Sequence, residues 1–134
     1  MIDKRKLAGI AHARIEDAKA LLRSQRYDGA VYLCGYAVEI ALKARICRTL
    51  KWAGFPDSSK DFQGYLSFKT HNLDVLLHLS GTEKRLKRDF LARWSVVATW
   101  DPEIRYKPIG IATKKNAEDM IEASERLTEF LCSK

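Results

Sequence analysis

The stretch at residues 27–47, YDGAVYLCGYAVEIALKARIC, constrains the fold more than any other. Ten consecutive residues, Gly29 to Val38, pass without a charge, and Glu39 and Lys43 then appear in a segment that stays apolar. Gly29, Ala30, Gly35, Ala37, Ala41 and Ala44 are small, so neighbouring backbones can approach closely, while Val31, Leu33, Val38, Ile40, Leu42 and Ile46 cover several faces at once. A helix apolar on every side needs cover on every side, from its own bundle or from a second copy. A chain of 134 residues buries only about two-thirds of the surface its unfolded form exposes. Covering one helix completely is hard at that size, which predicts a homodimer packed partly on this central helix. The uncharged run is about half of the ~20 residues a membrane span requires, so no membrane segment is expected.

Helical periodicity governs the rest of the chain. Leu7, Ala11, Ile15, Ala18 and Leu22 recur at spacings of three and four, predicting a first helix over about 3–25. Asp28 is the expected cap of the central helix, which should run to Leu50 or Trp52 before Gly54 and Pro56 stop it. Residues 53–69 carry turn formers and no period and are read as a long loop. Thr70 should cap a short helix through Leu79, ended by Gly81, and Thr82 another with Leu86, Phe90, Trp94 and Val97 inward. Residues 101–112 hold two prolines and a glycine, so Asp101 and Pro102 open one helical turn at most. Thr113 caps a last helix with Ala117, Met120, Ile121, Ser124, Leu127 and Leu131 on its apolar stripe. No segment alternates with period two. The expected architecture is all-α: one domain over 1–134, an up-and-down antiparallel bundle of four long helices plus a short one.

Composition narrows the chemistry. Three cysteines, Cys34, Cys47 and Cys132, make an odd count without metal-ligand spacing, which with the charged MIDKRK start points to a reducing, cytoplasmic setting. The formal charge of +7 and pI near 9.4 read first as solvated helix surface and second as the footprint of a polyanion, nucleic acid or an acidic protein. No P-loop, dinucleotide fingerprint or paired-carboxylate metal motif occurs, so no cofactor or metal is expected. His71 and His78 stand seven apart; the first is expected at a helix start, the second near a helix end, where an imidazolium suits the dipole.

Two clusters carry what chemistry there is. Glu39 and Lys43 are either an exposed i,i+4 pair worth about 0.3–0.5 kcal/mol, or a buried pair that fixes register or binds a polar group. The stretch WDPEIRYKP (100–108) interleaves aromatics and cations, the mixture used to fork onto a phosphate and stack on a base. Against this stands a core role for Trp100 and Tyr106 with Arg105 paired to a carboxylate such as Glu39.

The order of these segments, RYDGAVYLCGYAVEIALKARI, then THNLDVLLHL, then WDPEIRY, resembles the HEPN domain over about residues 5–131. That resemblance implies a helical bundle dimerising through its long central helices, often partnered with a minimal nucleotidyltransferase as toxin and antitoxin. Many such proteins are metal-independent ribonucleases using an Arg followed, after four to six residues, by a His on a late helix. Here the corresponding positions after Arg105 are Gly110, Ile111 and Ala112, and the only Arg–His pair at that spacing, Arg5 and His12, lies on the first helix. The expectation is therefore a homodimer that binds nucleotide, RNA or a nucleotidyltransferase partner through Arg105, Tyr106, Lys107, Glu39 and Lys43. The alternatives are a ribonuclease toxin with an atypical site that recruits His71 beside Arg105, and an interaction module without a ligand.

Overall fold

Asp3 starts the first helix, its carboxylate accepting the Lys6 backbone N–H, and α1 runs Lys4–Arg23 in the computed structural model, which describes residues 1–133. Leu7, Ala11, Ile15 and Ala18 are buried as the spacing predicts, and Leu22 is half-buried. A three-residue turn with Gln25 in the left-handed region (φ 60°) reverses the chain into α2, Tyr27–Leu50. Asp28 is not the cap of α2. Arg26 holds that position without a side-chain bond, and Asp28 lies in the first turn with its carboxylate engaged elsewhere. Lys51, also left-handed, ends the helix before Gly54 and Pro56 are reached. Eleven of the 24 residues of α2 are buried by the chain itself, so its cover is partial: Val31, Leu33 and Ile40 stay half-exposed.

The loop after α2 is tied down at both sides. Phe55 exchanges two backbone hydrogen bonds with Ile2 (3.0 and 2.8 Å), and a 3-10 turn forms at Leu66–Phe68. Asn72, not Thr70, caps the short α3, Leu73–Leu79; the Thr70 hydroxyl instead accepts the Asn72 N–H. Helix α4, Glu83–Val97, buries Leu86, Trp94 and Val97. It departs from helical geometry at Phe90, whose ring meets Phe130 of the last helix at 5.0 Å. Pro102–Tyr106 form a five-residue 3-10 turn. The last helix, α5 (Lys114–Cys132), opens with a reciprocal cap between Thr113 and Asn116. All six residues of its predicted stripe are buried. Helix α2 is the centre, packed by α1, α5 and α3, with α4 on the outer side of α5. The four long helices and one short one of the sequence reading are all present. Among the described residues there is no strand, and no helix is long and apolar enough to cross a membrane.

Candidate functional site

One face of α2 is polar in an otherwise apolar helix. Tyr32, Tyr36, Glu39 and Lys43 follow one another at spacings of four, three and four, which stacks them along a single line. Glu39 is 2 % exposed, and both of its carboxylate oxygens are engaged. The Lys43 ammonium donates to Oε2 at 3.0 Å, and His71 Nδ1 stands 3.0 and 3.1 Å from the two oxygens. The pair is thus the buried alternative of the two that spacing left open, and it is a triad. His71 is not a helix-start residue. It precedes the cap of α3 and reaches back across the bundle to α2, its ring 61 % exposed and its Nε2 without a protein partner among the described residues. A carboxylate bonded to one imidazole nitrogen fixes the ring's orientation and leaves the other nitrogen for a ligand.

Residues 98–113 form a strap across the N-terminal half of α2. Its anchor is Trp100, buried on α2 with its indole N–H donating to the Tyr32 carbonyl at 3.1 Å. Gly35 makes this possible, since a Cβ there would lie 2.1 Å from the indole. Tyr36 packs edge-on against both Trp100 and Tyr32. Asp28 holds the far end of the strap, accepting the N–H groups of Gly110 (2.6 Å) and Ala112 (2.8 Å). Asp101 caps the turn between these anchors by accepting the Glu103 N–H.

Arg105 projects from that turn. Its guanidinium lies 4.8 Å from the centre of the Tyr106 ring, and the phenol oxygens of Tyr106 and Tyr32 hold its pKa above the ordinary guanidinium value. Tyr36 is pushed up to about 12, first by the Tyr32 hydroxyl and then by burial. Arg105 does not pair with Glu39, nor with any other carboxylate among the described residues; His71 takes the place that the sequence reading left open for it. Tyr106 is 72 % exposed and is no core residue, whereas Trp100 is one. Lys107 lines neighbouring cavities with Ile104 and Ile111, one of them shared with Arg105, and not the groove that His71 lines.

His71 and Arg105 line the same groove, about 470 Å³ in volume, with Trp100 at its floor. Asp74, Asp101 and Glu103 lie along it too, the first accepting the Trp94 indole N–H at 3.3 Å. An oriented imidazole, a guanidinium without an ion-pair partner and acceptor carboxylates suit a ligand carrying both phosphate and hydroxyl or amino groups. Of the residues singled out from the sequence, Glu39, Lys43 and His71 form one cluster, and Arg105, with the Tyr106 ring beside it, lines the groove that His71 also lines. Tyr32 and Tyr36 were missed, although their helical spacing from Glu39 marks them. Asp28 and Gly35 carry no local signal, because their partners are 65 to 84 residues away in the chain. Among the described residues no group of three or more His, Cys, Asp or Glu is assembled for a metal. Arg5 and His12 are exposed on α1.

Compared with known families, the chain matches the family model described as HEPN domain over residues 5–134. No curated protein matches the chain, and no solved structure does.

Proposed function

The chain belongs to the HEPN domain family, and from that premise we propose that it binds a nucleotide or single-stranded RNA in the groove between His71 and Arg105. The observation that carries this reading is Arg105. An arginine held over an aromatic ring, without a carboxylate within ion-pair reach among the described residues, keeps its fork for an external anion. Tyr106 offers an exposed ring for stacking beside it. In this reading the protein is a cytoplasmic homodimer through the half-exposed side of α2, and the alternative occupant of the same surface is a nucleotidyltransferase partner in a toxin–antitoxin-like arrangement. A gel-shift titration with labelled single-stranded RNA in EDTA tests the site. The wild type shifts the RNA intact, and Arg105→Ala weakens the shift tenfold or more. Equal affinities in the two proteins would remove Arg105 from the site.

The Glu39–His71 contact favours a second reading, a metal-independent endoribonuclease. The ribose 2′-oxygen would attack the adjacent phosphorus and the bond to the 5′-oxygen would break. His71 Nε2 would take the hydroxyl proton or supply one to the leaving oxygen, and Arg105 would neutralise charge on the phosphate. In the same gel, fragments present with wild type and lost with both His71→Ala and Arg105→Ala select this reading. Intact RNA in every lane selects binding.

A further inference from the structure

The other side of His71 opens onto a second cavity. It is about 530 Å³, within the roughly 300–1,000 Å³ of small-molecule sites, and lies between the 53–69 loop, α1 and α2. Its walls are apolar and aromatic: Ile10 and Ile40 from the helices, Phe55, Phe62 and Phe68 from the loop. The walls are preformed. The Ile2–Phe55 backbone pairing holds one end of the loop, and Phe68 packs edge-on against Trp52 at 4.9 Å. The charged lining is mostly paired. Lys43, 5.3 Å from the Phe55 ring, is held by Glu39 and Asp57 by the Met1 ammonium at 2.8 Å, which leaves Lys69, 5.9 Å from the Phe62 ring, as the lining ammonium without an ion-pair partner among the described residues. His71 is a wall of both this cavity and the Arg105 groove.

We infer that this aromatic cavity is the base-binding subsite of a nucleotide whose phosphate lies on the Arg105 side of His71. The inference rests on the nucleotide reading of the groove and deepens it. A flat ring matches phenylalanine walls, with ring-on-ring contact available to any base, and the shared His71 wall puts the anion it carries next to the Arg105 groove. An aliphatic acid would match the charge but not the aromatic lining.

The test is titration calorimetry of the full chain with AMP, ribose 5-phosphate and octanoate. Wild type binds AMP about tenfold or more tightly than ribose 5-phosphate, as loss of one stacked base predicts. Ile10→Trp, which fills the cavity from α1, and Phe68→Ala, which removes a wall, both abolish that preference and leave the affinity for ribose 5-phosphate unchanged. Circular dichroism of both variants checks the fold. Equal binding of the two phosphates by wild type overturns the inference, as does a preference that survives in folded Ile10→Trp or octanoate binding as tightly as AMP. Failure of the groove itself looks different: Arg105→Ala would then leave ribose 5-phosphate binding unaltered, whatever the cavity variants do.

Discussion

Glu39 has three hydrogen-bonding contacts between 3.0 and 3.1 Å at a position with 2 % exposure, so its carboxylate is compensated only while both partners stay in place. Removing it in Glu39→Ala leaves the mostly buried Lys43 without its partner. Chemical denaturation should show a loss of about 1–3 kcal/mol, with Glu39→Gln, which keeps an acceptor, losing less. Gly35 is constrained by a different force. Any side chain there drives the Trp100 indole off α2, and Gly35→Ala should cost about 1–3 kcal/mol or more, read as a lower urea midpoint. Spacing revealed Glu39 and Lys43 as a pair. Which cation or imidazole would meet the carboxylate depended on a contact 32 residues away, and that was beyond local reading.

At the scale of elements, α1, α4 and α5 are legible from apolar stripes of their own, and α2, which has neither a stripe nor a side-chain cap, from its long uncharged run. Six of the eight buried residues of α5 lie on its expected stripe, Ala123 and Thr128 being the other two, and Asp3, Asn72 and Thr113 cap through their own side chains. The misplaced caps, Asp28 and Thr70, have a shared cause: each hydrogen-bonds backbone outside the helix end it was assigned. Asp28 is the more consequential, since it clamps the strap that presents Arg105. Asp28→Ala should speed hydrogen exchange at Gly110 and Ala112 and weaken Arg105-dependent RNA binding, with α2 unchanged by circular dichroism. Thr113→Ala opens the α5 capping box and should cost about 0.5–2 kcal/mol, measured as a fall in denaturation midpoint.

For the whole molecule, alkali is the sensitive direction. Burial pushes the Cys34 thiol from 9.0 up to about 12, and Tyr36 rises from 10.0 to about 12. Both groups hold their protons more tightly folded than unfolded. The stability they contribute is complete below pH 9.0 and is lost as pH rises through about 12. Urea midpoints should fall across that window, and less steeply in Cys34→Ala. The proposed dimer belongs to this scale, and light scattering at tens of micromolar should give twice the chain mass; a persisting monomer would exclude it. The three tryptophans, finally, divide the molecule optically. Trp52 packs on Phe55 and Phe68 of the aromatic cavity, while Trp100 lines the groove and Trp94 donates to Asp74, one of its walls. Each compartment therefore has its own fluorophore, and proteins retaining a single indole would report by colour and quenching which of the two a ligand has entered.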